Sequence, residues 1–122
     1  MGARELLQSG DIEGALELVK QDVKKSPQMS LHRVFLFQLF SIVGQWDRAL
    51  KQLVVAGELD PIAGPMVECY KHLLNFEAFR AEVFAGHKQP LVFGEPEAWM
   101  AGVFEAAKKF AAGNVEQAES VL

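Results

Sequence analysis

Three short segments, by their spacing, limit what this chain can fold into. Gly10-Asp11-Ile12-Glu13-Gly14-Ala15, Gly44-Gln45-Trp46-Asp47-Arg48-Ala49 and Gly113-Asn114-Val115-Glu116-Gln117-Ala118 each place a bulky apolar residue two positions after a glycine and an alanine five positions after it. Gly10 to Gly44, Ala15 to Ala49 and Pro27 to Pro61 are all 34 residues apart, and Gly44 to Gly113 is 69, two periods plus one. A fixed period of this length marks a chain built from repeated helix pairs, none of which can bury its apolar face alone.

The chemistry of each repeated position supports that reading. Glycine ends a helix by turning left-handed without a Cβ penalty. Asp11 or Asn114 next to it can cap the following helix. Ile12, Trp46 and Val115 are placed to pack at the corner, and the alanines let two helix backbones approach. Pro27 and Pro61 stop or start helices, because proline lacks the N–H that a helix interior uses. The period and these positions are those of the tetratricopeptide repeat. The expected fold is therefore all-α: about seven helices, in tetratricopeptide-like antiparallel pairs stacked in a right-handed array, forming a single domain over residues 1–122.

Helices are predicted at about Ala3–Ser9, Ile12–Lys25, Leu31–Val43 with Ser30 as cap, and Trp46–Ala56 ending at Gly57. A long fifth helix opens at Asp60-Pro61 and runs to Gly86, carried by Met66, Tyr70, Leu73, Leu74, Ala81 and Phe84. A sixth covers Glu97–Ala112, and a seventh starts near Val115. Leu122 is expected to fall inside that last helix, as in the N-terminal part of a longer protein. The connection between Gly86 and Pro96 is long for a compact helical domain, a length often associated with function. Trp99, just beyond it, either pins that connection or adds to a binding surface.

The third helix carries the candidate site. Leu31, Val34, Phe35, Leu36, Phe37, Leu39, Phe40, Ile42 and Val43 make it apolar nearly all round, where a surface helix shows one stripe. Either it is central with neighbours on every side, or one face lines a groove. Aligning the repeat puts Leu36, Phe37 and Phe40 in the core of the pair and leaves Leu31, Val34, Gln38 and Ile42 on the concave, partner-binding side. Such a face suits an amphipathic helix presenting i, i+3, i+4 and i+7 side chains.

Composition narrows the function further. Sixteen acidic residues against 12 Lys and Arg give a formal charge of −4, which argues against nucleic acid. The Lys20–Lys25 run is broken by Asp22 and reads as a solvated face. The most apolar stretch, Leu31–Val43, is too short to span a bilayer and contains His32, Arg33, Gln38 and Ser41. No leader is visible in Met1–Gly10, and a single cysteine, Cys69, rules out an internal disulfide. These features predict a cytoplasmic protein that does not bind membranes. No catalytic motif stands out and no cofactor is implied. Glu68, Cys69 and His72 share a helical spacing that could present metal ligands, but they lack a partner pair; Cys69 is expected to be buried as a small apolar residue.

Arg80-Ala81-Glu82-Val83-Phe84-Ala85-Gly86, then Pro90-Leu91, Gly94-Glu95-Pro96 and Trp99, resemble the signature of the ImpE/SciE (TagJ) proteins. Gly44-Gln45-Trp46-Asp47-Arg48-Ala49 and Leu59-Asp60-Pro61 resemble the N-terminal region of that family. The resemblance implies a cytoplasmic, non-enzymatic accessory protein of a bacterial type VI secretion system. Its implied partner is the N-terminal helix of the small contractile-sheath subunit, with an indirect bearing on sheath disassembly by the ClpV ATPase. Family members are longer, with a distinct C-terminal portion, and no binding residue is carried over. Alternatives are a generic tetratricopeptide scaffold or chaperone for another partner, such as one reading an acidic tail, for which the concave face has too few cations, or an enzyme or metal protein centred on Glu68, Cys69 and His72.

Overall fold

The computed structural model describes residues 2–122, and among them every regular element is helical. The helices are α1 (Ala3–Gln8), α2 (Ile12–Lys25), α3 (Ser30–Ile42), α4 (Trp46–Leu59), α5 (Gly64–Phe84), α6 (Ala98–Ala111) and α7 (Val115–Ser120), with a 3-10 turn at Pro61–Ala63 before α5. The all-α expectation holds. The chain divides into two compact units, Met1–Asn75 and Phe76–Leu122.

The repeated corners are real, and they are built alike. Gly10, Gly44 and Gly113 have φ of 89°, 77° and 85°. At each one the residue after the glycine donates its N–H five residues back: Asp11 to Leu6, Gln45 to Phe40 and Asn114 to Lys109, each at 2.9 Å. The glycine donates three residues back, to Leu7, Ser41 and Phe110, at 3.0–3.1 Å. This double closure satisfies carbonyls that a helix end otherwise leaves free. The residues that follow, Asp11, Gln45 and Asn114, share one conformation, φ −85° to −92° and ψ 67° to 77°. Their carbonyls then accept from Ala15, Ala49 and Ala118, all buried.

In the first unit α1 packs on α2, α2 on α3 and α3 on α4. Short connections between packed neighbours make them antiparallel. The core draws on one stripe of each helix: Ala15, Leu16, Val19 and Val23 of α2, Leu36, Phe37, Leu39 and Phe40 of α3, Ala49, Leu53 and Ala56 of α4, and Val67 and Leu74 of α5. Val19, Leu39 and Leu53 lose essentially all contact with solvent, and each such burial stabilises by about 1.5–3 kcal/mol. The Phe37 ring meets Tyr70 edge-on at 5.5 Å. Arg33 ties α3 to its neighbours, donating to Gln52 Oε1 at 3.0 Å and to the Pro27 carbonyl at 3.4 Å.

Several local expectations are corrected. Helix α4 does not stop at Gly57 but runs on to Leu59; a Cβ at Gly57 would stand 2.9 Å from Val67 Cγ2, so the glycine serves close approach rather than termination. Ser30 is the first residue of α3, and Met29 takes the cap position without a side-chain bond. Asp11 caps α2 through Oδ1, 2.9 Å from the Gly14 N–H, whereas Asn114 makes no side-chain cap for α7. Val115 is 48% exposed instead of packed at its corner. Leu122 lies beyond the end of α7. Asp60 does act as expected, accepting from the Ile62 N–H at 3.1 Å with Pro61 opening the turn.

Candidate functional site

Leu31, Val34, Gln38 and Ile42 are spaced by three, four and four residues. At 100° per residue they form one narrow stripe along α3. Leu36 and Phe40 project from the opposite side into the core. Helix α3 is therefore not enclosed on every side. Leu31 is 73% and Ile42 56% exposed; Gln38 is exposed, and Val34 is half-buried against the core. The stripe carries no formal charge. Its neighbour Arg33 is turned away into its bonds with Gln52 and Pro27. What such a surface offers is a row of aliphatic contacts at the ends and one amide, Gln38, in the middle. It can hold a side-chain row of another helix; it has no nucleophile or base.

The alternative centre on α5 does not assemble. Glu68, Cys69 and His72 are all exposed, and the expectation that Cys69 is buried is wrong. The buried side of this part of α5 is set by Val67 and Leu74, seven residues apart. Cys69, two residues from Val67, is rotated by about 200° away from it. Among the described residues no three His, Cys, Asp or Glu side chains group as metal ligands would.

The second unit holds a groove of about 650 Å³. One wall is the end of α5, where Phe76, Phe79, Arg80 and Val83 recur at helical spacing. Helix α5 closes at Gly86, whose N–H reaches the Val83 carbonyl while the His87 N–H reaches that of Glu82, both at 3.0 Å. The connection that follows contributes Pro90, Leu91 and Phe93, and α6 contributes Val103, Phe104 and Lys108. Gly86 faces the Ala111 methyl and the Lys108 backbone closely enough that a Cβ there would stand 3.5 Å and 3.6 Å from them. Leu91 is 82% exposed and Phe93 has no cover at all. His87 Nδ1 pairs with Glu82 at 3.1 Å.

Arg80, Val83, Phe84, Gly86, Pro90 and Leu91, which carry much of the resemblance, all line this groove. The length of the connection points here; in the sequence Phe76, Phe79 and Phe104 have the pattern of ordinary helix-stripe residues and do not signal a groove. Trp99 does not pin the connection by burial. It is 62% exposed, its indole N–H donating to Glu97 Oε2 at 3.1 Å.

Among the described residues no helix is long and apolar enough to cross a membrane. No family model matches the chain. A curated protein does: the type VI secretion system accessory component TagJ of Pseudomonas aeruginosa is 42% identical over 121 residues, 99% of this chain. The chain spans 43% of the length of that relative. Along the stretch it spans, the chain is a homologue of TagJ, which supports the resemblance to the ImpE/SciE (TagJ) proteins.

Proposed function

We propose that this chain is a non-catalytic, cytoplasmic adaptor of a type VI secretion system. Through the Leu31, Val34, Gln38 and Ile42 stripe it holds an amphipathic helix from the N-terminus of the small contractile-sheath subunit, and so bears on sheath disassembly by the ClpV ATPase. The corner-repeated helix pairs are taken as tetratricopeptide-like units that present α3 to the partner.

The observation that carries this reading is the exposure of Leu31 and Ile42, 73% and 56%, on a helix whose other side is core. Two large aliphatic residues separated by three helical turns and kept in water are suited to anchors at i, i+3, i+4 and i+7 of a partner helix. The relationship to TagJ supports the secretion context.

The test is a titration of the chain with a fluorescently labelled peptide of the sheath subunit's N-terminal helix, followed by polarisation. Each of Leu31→Asp and Ile42→Asp removes an aliphatic contact worth about 1.5 kcal/mol or more and sets a carboxylate in its place, weakening binding by about ten-fold or more. Far-UV circular dichroism is expected to stay unchanged, because both residues face water. Undiminished binding in both variants would reject this surface as the site.

A further inference from the structure

The unit formed by residues 76–122 has little core of its own. Its buried hydrophobic residues are Ala106 and Ala118, while Phe84, Leu91 and Phe93 are 64%, 82% and 104% exposed around the groove. A contiguous apolar surface of this kind on a soluble body marks a place that something else covers.

Charge there is distributed just as unevenly. Residues 76–122 contain four Lys or Arg and seven Glu, a net charge of −3. The groove nevertheless takes three of the four cations, Arg80, Lys88 and Lys108, and one of the seven carboxylates, Glu105. Glu105 faces Lys109 at 3.7 Å and Arg80 faces Glu77 at 3.4 Å. Among the described residues Lys88 and Lys108 have no carboxylate within ion-pair distance. Lys88 Nζ stands 5.6 Å from the Phe79 ring and the Arg80 guanidinium 5.3 Å from the Phe84 ring, so positive heads are held over the aromatic lip.

We propose that this groove docks a segment of a partner protein that carries leucine or aromatic anchors flanked by aspartate or glutamate. The apolar walls receive the anchors, and Lys88 and Lys108 receive the carboxylates. Leu91 and Phe93 line the groove yet stay largely exposed at its edge, and a polypeptide segment is long enough to cover them together with the walls. An anionic bilayer is disfavoured, because the segment bearing Phe93 also carries Glu95 and Glu97 and the unit is net negative. The site is separate from the α3 stripe and does not rest on it.

The test uses the full chain and two fluorescein-labelled helical peptides. Both place leucine and phenylalanine at i, i+3, i+4 and i+7; one has glutamate at its flanking positions and its twin has lysine. The acidic peptide is expected to bind about ten-fold more tightly than the twin, and less tightly as salt rises. The double variant Lys88→Glu, Lys108→Glu is expected to reverse that preference. Both lysines are exposed, so its circular dichroism should match the parent. Leu31→Asp leaves binding of this probe unchanged, which separates this site from the sheath-helix reading. The proposal is overturned if the acidic peptide shows no saturable binding, if the two peptides bind equally, or if Leu31→Asp abolishes binding and the lysine reversals do not. It is also overturned if phosphatidylserine vesicles are bound in preference to both peptides, or if sedimentation shows self-association that the lysine reversals abolish.

Discussion

Replacing Gly44 by alanine distinguishes a turn from a continuous helix by the sign of its effect. Gly44 has φ of 77°, and a Cβ built there meets nothing within 4 Å. Packing therefore contributes no term, and the change isolates the backbone. A left-handed conformation costs an L-residue about 1–2 kcal/mol, and the smaller entropy of the unfolded alanine chain offsets about 0.4–1 kcal/mol of that. The net destabilisation is about 1 kcal/mol. For cooperative unfolding of residues 1–75, with an unfolding entropy of about 2.1 cal/mol/K per residue, the melting temperature falls by about 6 °C. Were α3 to run on through residue 44 into α4 as one helix, alanine would instead stabilise by about 0.8–1 kcal/mol. Thermal melts by circular dichroism of the parent, Gly44→Ala and Gly44→Asn provide the assay. The expected order is Gly, then Asn, then Ala, since asparagine tolerates the left-handed region better than alanine does. A melting point for Gly44→Ala equal to or above that of the parent refutes the corner.

Other consequences are equally specific. Asp11→Ala removes a side-chain bond to the Gly14 N–H and should cost about 1 kcal/mol, whereas Asn114→Ala, which breaks no cap bond, should stay within about 0.5 kcal/mol in denaturant melts. Gly57→Ala forces a methyl to within 2.9 Å of the stiff Val67 side chain; in a double-mutant cycle, Val67→Ala should relieve it, making the pair about 1 kcal/mol more stable than the sum of the single changes. Cys69 is exposed, so it should react with a thiol reagent in the native protein about as fast as in denaturant, and Cys69→Ser should shift stability by less than about 0.5 kcal/mol.

What could be read in advance was what is local. A glycine that closes a helix, the polar residue after it and the alanine five places on act through the backbone within a few residues, so Gly10, Gly44 and Gly113 announced their corners. Gly57 misled because its role is tertiary. It lets Val67 come close, and nothing within a few residues of it encodes that. Ser30 fits the chemistry of a cap, but the chain turns into α3 one residue earlier, at Met29. The phase of α5 was equally hidden: the helix is rich in apolar residues on several sides, and only packing selects Val67 and Leu74 and leaves Cys69 in water. On α3 the repeat specified which residues face the pair: Leu36, Phe37 and Phe40 are buried and Leu31, Gln38 and Ile42 exposed, whereas Val34, expected on the open side, is half-buried against the core. The groove was legible only as a long connection. Phe76, Phe79 and Val83 give the same helical pattern whether a neighbour covers them or not.

The most direct test of the adaptor account is a methyl-resolved NMR titration of the full chain with the sheath subunit's N-terminal helix. The account expects the largest shifts at the methyls of Leu31, Val34 and Ile42, with those of the buried Leu39 and Leu53 little moved. Shifts confined to Leu91, Val83 and Val103, or no shift on α3 at saturating peptide, would contradict it.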